Sequence, residues 1–444
     1  MGKTLEEVDI SVNWHPCMQM KDFEKFKPLI IDRTNGSYIA LEDGHKLIDA
    51  ISSWWCKSLG HNHPRLKQAL KDQIDQFEHV IYANTTYEKI ITLSNKLLSL
   101  CPGFSKVLYA GDGSCAIEIA LKMSVHVRSI NNQHAKNKFL VLENGYHGET
   151  AGAMSVSDVG MYKAPYKDLL FEPIVINDLP YVTGKHDPLW HDASEAWAKI
   201  KPDLDKQADE ITALVLEPIL QGAGGMKIYS ADFLNRLAVW AKSHDIHIIA
   251  DEIMTGFCRT GKWFAYEHAG IQPDFVCMSK GLTSGWLPLS AVLTTEEIYQ
   301  HFYADYSDGK NFLHSHTYSG NALAVAVALE TINIFEDENI PSKAKNLEAE
   351  LLSRMQTVAE KTGLINNIRC IGAMVAADLK SPPGVDRMGY QFFQQAVKYG
   401  ALMRPLGNTL YWLPPLNITN ETLDDLKEIT IKAILALKIK HKDL

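Results

Sequence analysis

Paired cysteines are missing from this chain. Its seven, Cys17, Cys56, Cys101, Cys115, Cys258, Cys277 and Cys370, lie far apart, are odd in number and contain no C-x-x-C pair. A zinc site or a disulfide framework is therefore disfavoured, no metal is expected, and a reducing compartment is the simpler reading. A block of consecutive Lys or Arg is missing too, and the formal net charge is −9. A non-specific nucleic-acid binder needs a basic face to neutralise phosphates, so that class is disfavoured. No apolar run reaches the roughly 18 residues of a membrane span. The stretch MGKTLEEVDI is acidic, unlike a secretory signal or an Arg-rich transit peptide. Low-complexity tracts, fixed-period repeats and long linkers are also absent. A cytoplasmic protein without nucleic-acid or membrane partners is expected. What remains is 444 residues, 46% hydrophobic and 22% charged, enough for a large core and more than one domain.

The middle of the chain alternates short apolar runs with amphipathic stretches. Lys106–Ala110 reads as a strand, and Ser114–Arg128 as a helix with Ile117, Ala120, Leu121 and Ser124 on one face. Phe139–Leu142, Thr212–Leu216, His247–Ala250, Phe275–Met278 and Ala291–Leu293 continue the strand series, with a helix from Ser230 between them. Near-continuous apolar strands separated by helices predict an α/β fold whose mostly parallel sheet is covered on both faces. The last hundred or so residues are dominated by helices, among them Ser342–Lys361 and a closing helix with Asn420 as N-cap. A large α/β/α domain over 60–330 is expected, with a smaller α+β domain from 1–59 joined to 331–444.

Two polar residues stand at the ends of apolar runs: Asp251 in HIIADE and Lys280 in DFVCMSKG, 29 positions apart (280 − 251). Ligands of parallel α/β sheets sit beyond the carboxyl ends of the strands, so both side chains can reach one pocket. Either residue alone is most simply a solvated loop residue. Together they supply what pyridoxal-phosphate chemistry needs. The amine forms a reversible covalent link to the cofactor aldehyde and, once released, can move a proton. The carboxylate keeps the pyridine nitrogen protonated.

The phosphate needs its own site. AGDGSCAIEIALK puts Gly111, Gly113 and Ser114 between a strand and a helix, where backbone N–H groups and the helix dipole favour an anion. The same run satisfies G-x-G-x-x-A, a dinucleotide fingerprint. That reading demands an acidic residue about 20 positions on, but RSINNQHAKNK contains none. It also leaves the Asp251/Lys280 pair unexplained.

Four further runs, LVLEPILQGAGGM, IIADEIMTGFCRTGKWFA, MSKGLTSGWLPLSA and HTYSGNALA, together with that pair, resemble the class III aminotransferases of PLP fold type I. The resemblance covers nearly the whole chain. It implies pyridoxal 5'-phosphate as cofactor and a homodimer with composite active sites. Thr317 would then contact the phosphate from the partner chain, beside Ser315 and His316. The runs WHP (Trp14–Pro16), SSWW (Ser52–Trp55), NGYHGET (Asn144–Thr150) and RPLGNTLYWLPP (Arg404–Pro415) are similar to members acting in biotin synthesis. Those members imply 8-amino-7-oxononanoate as acceptor and S-adenosylmethionine as donor.

Carried over residue by residue, the resemblance puts Tyr146 against the cofactor ring, where an aromatic face supports the electron sink. Glu217 would sit near the cofactor. Trp54 would line the substrate channel, and Arg404, near Tyr411, would clamp the substrate carboxylate. Adjacent Trp residues on a strand face opposite ways, which leaves Trp55 to the core. Without the motif, each of these reads as packing or surface. The chain departs from the pattern at Cys17, where Tyr is usual and contacts substrate, at Glu149, where Asp is usual, and at Ser315-His316, where Gly-Pro is common. Two other readings stay open: an aminotransferase for an ω-amino acid, diamine or ornithine-like substrate, and a silent scaffold. The second has no need of Lys280 and Asp251.

Overall fold

The computed structural model describes residues 2–441. Runs of Val, Ile, Leu and aromatic residues form its strands, as their fit to a pleated, buried surface predicts. The first ten are β1 (Ile31–Asn35), β2 (Tyr38–Leu41), β3 (Lys46–Asp49), β4 (Lys106–Ala110), β5 (Lys138–Leu142), β6 (Ile174–Ile176), β7 (Tyr181–Val182), β8 (Ile211–Leu216), β9 (Leu220–Gln221) and β10 (Lys227–Tyr229). The others are β11 (His247–Asp251), β12 (Phe275–Met278), β13 (Ser290–Thr294), β14 (Ile365–Ile371), β15 (Met374–Leu379), β16 (Ala401–Leu402) and β17 (Thr409–Trp412).

Seven of them make one sheet in the order β4-β13-β12-β11-β8-β5-β6. The run from β6 to β12 is parallel throughout. By contrast, β13 lies antiparallel between β12 and β4. Every residue of β8, β11, β12 and β13 is buried, as central strands covered on both faces must be. Helix Gly113–Ile130 packs on β12 and β13, with Ile117, Ala120, Leu121 and Ser124 all buried. Helix Ala231–Ser243, capped by the Ser230 side chain on the Phe233 N–H, packs against β11. Helix Ala322–Asp337 (ALAVAVALETINIF) is apolar nearly all round and lies enclosed against helices Pro64–Ile74 and Glu88–Leu100.

Two smaller sheets lie outside this layer. One has the order β1-β2-β3-β16, with β16 parallel to β3, so residues near 48 pair with residues near 401. The other, β14-β15-β17, is antiparallel. Helix Ile340–Thr362 covers it and packs on the closing helix Asn420–Lys440. That closing helix is capped by Thr419, whose hydroxyl accepts from the Thr422 N–H at 3.3 Å, and not by Asn420. Both residue types cap well, and the backbone turns helical one residue earlier than the apolar stripe suggests. A third small sheet, β7-β10-β9, lies beside the carboxyl edge of β8. Among the described residues, no helix is long and apolar enough to cross a membrane, and no cluster of His, Cys, Asp and Glu is arranged to hold a metal.

Candidate active site

Parallel β11 and β12 end at the same edge, with Asp251 opposite Cys277. Lys280 lies two residues beyond β12 in a short 3-10 turn, at φ +42. Both side chains enter one cavity of about 340 Å³, whose walls also include Trp55, Ser114, Tyr146 and Glu217. Burial pulls the Lys280 amine below the ordinary lysine range, while the charges of Asp251 and Glu217 pull it back up. An amine so placed releases its proton more readily, as a nucleophile and proton carrier must.

Asp251 is buried and held from two sides. One oxygen lies 2.7 Å from His147 Nδ1, and the other accepts the Ile253 N–H at 3.0 Å. A carboxylate only accepts, so Nδ1 carries the proton. Two partners leave the carboxylate, which lines the cavity, with acceptor capacity to spare. His147 Nε2 is buried with no partner. Sequence reasoning passed over His147; the one signal was its place between Tyr146 and Gly148 in NGYHGET.

Glu217, just past β8, ties two loops together. Its buried carboxylate accepts the Tyr146 N–H at 3.0 Å and the Gly222 N–H at 2.9 Å. Burial pushes its pKa up to about 7; Asp251 adds to this, while His147 and the two N–H groups oppose it. The Tyr146 hydroxyl donates to Glu149 at 3.1 Å, and burial followed by that negative charge keeps the phenol protonated.

Helix Gly113–Ile130 begins at the cavity, capped by the Asp112 side chain on the Cys115 N–H at 3.0 Å. Gly148, at φ +125, presses on it so closely that a Cβ there would collide with the Ser114 hydroxyl. A Cβ on Gly113 would lie 2.9 Å from the Ile253 side chain. The result is a narrow slot with an anion-favouring helix terminus at one end and a buried carboxylate and amine at the other. These groups fit pyridoxal phosphate: the amine for its aldehyde, Asp251 for its ring nitrogen, and the Gly113 and Ser114 N–H groups for its phosphate.

The two tryptophans do not sit on a strand. Ser52, Ser53, Trp54 and Trp55 have φ of 50, 45, 71 and 73°, one turn of left-handed helix without a glycine. Each such residue costs roughly 1–2 kcal/mol. The expected opposition of faces therefore fails. Trp55 is buried, as expected of a core residue, but it also walls the cavity: the Lys280 amine lies 4.8 Å from its ring centroid. Its indole N–H donates to the Tyr411 hydroxyl at 3.0 Å, and burial keeps that phenol protonated. Trp54 is 41% exposed and faces Arg404, whose guanidinium lies 4.7 Å from the ring centroid. Arg404 also donates to the Cys17 carbonyl at 2.9 Å. Cys17, Trp54 and Arg404 thus form a second cluster, with Cys17 contributing its carbonyl while burial raises its thiol pKa.

Ser315, His316 and Thr317 are not brought to Lys280 within one chain. They line a separate cavity of about 680 Å³ with His79, Tyr82 and Tyr109. Exposed Ile81, Leu313 and Tyr318 lie in the same stretches of chain.

The family model described as aminotransferase class-III matches residues 20–434. An adenosylmethionine-8-amino-7-oxononanoate aminotransferase of Helicobacter pylori is 43% identical over 94% of this chain and 95% of its own length. The enzyme of that name from Aquifex aeolicus is 36% identical over 95% of each chain. The crystal structure of its namesake from Methanocaldococcus jannaschii superposes with a TM-score of 0.88 at 32% identity, covering 97% of this chain and 98% of that one. An omega transaminase from Pseudomonas jessenii in complex with PMP gives 0.89 at 26% identity, covering 98% of each. With the buried lysine, its carboxylate and the helix terminus arranged as this chemistry requires, the chain belongs to the class III aminotransferases, which depend on pyridoxal phosphate.

Proposed function

We propose that this chain transfers an amino group to 8-amino-7-oxononanoate, giving 7,8-diaminononanoate for biotin synthesis, with S-adenosylmethionine as donor. The observation that carries the reading is full-length likeness at 43% and 36% to enzymes of that name, against 26% to an omega transaminase. The chemistry of the Trp54/Arg404 cluster agrees with it. A flexible, mostly apolar keto acid with a distant carboxylate needs an aromatic wall and one cation, which Trp54 and Arg404 supply. The same aromatic surface suits the donor's sulfonium.

Bound pyridoxal phosphate supplies an aldehyde for the incoming amine and a ring that takes up the electron pair left when a carbon-bound proton departs. The chain's own residues do the rest. Lys280 Nζ accepts that proton and returns it, a task suited to a desolvated amine. Asp251, fixed by His147, holds positive charge at the ring nitrogen. Tyr146, which lines the cavity, would lie against the ring, and Glu217 fixes the Tyr146 loop. The Gly113 and Ser114 N–H groups would hold the phosphate.

A homodimer completes the site in this proposal. Thr317 of the partner subunit would contact the phosphate, supported by its lining a cavity separate from that of Lys280 and by the exposed apolar side chains around it. A large domain over 60–330 and a smaller one from 1–59 with 331–444 are also proposed, supported by the pairing of β3 with β16. The seven free cysteines support a cytoplasmic setting. One experiment tests the reaction. The pure protein is incubated with 8-amino-7-oxononanoate and each candidate donor, and diaminononanoate is sought by mass spectrometry. Its absence with every donor, alongside turnover of an ω-amino acid or diamine, favours the second reading, for which Cys17 in place of the usual Tyr is the motive.

A further inference from the structure

The left-handed turn Ser52–Trp55 is an unfavourable conformation at four consecutive side-chain-bearing residues, so something must hold it. One residue does most of this. Asp49, at the end of β3, is fully buried, and its carboxylate collects donors from the turn. Oδ1 accepts the Ser53 N–H at 2.9 Å and the Ile51 N–H at 3.4 Å. Oδ2 accepts the Ser53 hydroxyl at 2.7 Å and lies 2.8 Å from His61 Nε2. Ser52 anchors the turn from its other side, donating to the Leu413 carbonyl at 2.7 Å. The acceptor side of these bonds is shielded from solvent, because His61 is 7% exposed and Asp49 not at all.

The turn delivers two side chains to different places. Trp55 reaches the Lys280 amine at 4.8 Å and Tyr411 at 3.0 Å; Trp54 meets Arg404 at 4.7 Å. Successive residues of a left-handed turn point about 100° apart, which neither a strand nor an extended loop reproduces. Relaxation of the turn to an ordinary backbone would therefore move both tryptophans.

We propose that Asp49, with Ser53 and His61, is a positioning residue for the amino-transfer reaction: by holding the left-handed turn it sets Trp55 against the Lys280 amine and Trp54 against Arg404. It touches neither substrate nor cofactor. The proposal rests on Lys280 being the reactive amine and not on which keto acid is used.

The test uses the full-length holoenzyme and Asp49→Asn, which keeps the shape but has one accepting oxygen, so its NH2 must face either the Ser53 and Ile51 N–H groups or the Ser53 hydroxyl and His61. Single-turnover rates are measured with every amine the wild type accepts, together with the pH titration of the bound cofactor's visible band and the cofactor content. Expected are full cofactor content, a fall in kcat of about tenfold or more, the size set by one hydrogen bond to a charged group, and a shifted titration midpoint because the ring beside Nζ has moved. Wild-type kcat per bound cofactor with an unshifted midpoint overturns the proposal, even where thermal stability falls. Ser53→Ala removes one bond without burying an unpaired charge. Should the Asn variant not fold, Ser53→Ala decides the matter by the same two readouts. A wild type inactive on 8-amino-7-oxononanoate but active on another amine would remove the substrate reading and leave this test intact.

Discussion

Truncating Arg404 to Ala tests the substrate end of the site, and its expected size can be worked from three contacts. The guanidinium stacks on Trp54 at 4.7 Å, donates to the Cys17 carbonyl at 2.9 Å and touches the Met18 sulfur at 3.8 Å. A planar fork with five N–H donors still has an edge free for a carboxylate after these. Loss of a hydrogen bond to a charged group costs roughly 1.5–3 kcal/mol. For the keto acid that is a fall in kcat/KM of about 10- to 150-fold. The stacking contact is worth about 0.5–1 kcal/mol at a partly exposed site, and it is lost whatever the substrate.

A keto substrate lacking the distant carboxylate separates the two contributions. It is expected to lose no more than about fivefold on Arg404→Ala, the stacking contribution alone. Arg404→Lys keeps the charge without the planar stack and should fall between. The comparison belongs in the half-reaction that consumes the keto acid, because S-adenosylmethionine carries a carboxylate of its own. Equal losses for both substrates would refute the clamp. Arg404 would then serve only to hold Cys17 and Trp54 in place, and the broader ω-aminotransferase reading would regain ground.

Lys280→Ala is expected to abolish turnover and the covalent cofactor link, and borohydride reduction of the wild type with peptide mapping should label Lys280; a label on another lysine refutes the assignment. Mixing inactive Lys280→Ala with inactive Thr317→Ala should restore activity, because one site of the hybrid dimer carries neither defect; no recovery after proven subunit exchange excludes a composite site. Glu217 titrates near 7 in the folded chain against 4.5 when free, so the native state retains a proton that the unfolded chain gives up. Its contribution is therefore full below about pH 4.5 and is lost as pH rises through 7, on the order of 3 kcal/mol in all. The stability of cofactor-free Glu217→Gln relative to wild type should accordingly rise across that window; a flat difference shows that Glu217 is ionised in the fold.

The part of the site written in apolar runs could be read directly. Asp251 and Lys280 end strands whose burial demands hydrophobic residues, and parallel pairing does the rest. Strand direction is not written that way, which is why the antiparallel placement of β13 emerges only from the fold. His147 was hidden for another reason: its partner Asp251 is 104 positions away, and a single hydrogen bond leaves no period in a sequence. The Trp54/Trp55 pair misled because side-chain direction was inferred from a strand. No residue preference marks a left-handed turn without glycine; the donors gathered by Asp49, with the Ser52 bond to Leu413, account for it.

That difference separates the chemistry from its specificity. The amine, the carboxylate and the helix terminus stand on the buried edge of a sheet, the part of the fold least able to vary. Proteins named for different substrates superpose on this chain almost equally, at TM-scores of 0.88 and 0.89, so backbone architecture does not choose the substrate. In the proposed reading the choice lies where side chains from remote segments meet: Cys17 near the amino terminus, Trp54 on the strained turn and Arg404 beyond β16. None of the three stands on the large sheet. Each is placed by contacts with the others, so one substitution there moves its neighbours, and its effects on two substrates need not be additive. Under that proposal, position 17, a cysteine that Arg404 meets through its backbone carbonyl, is the place for this chain to differ from its relatives in donor or acceptor while the machinery at Lys280 stays the same.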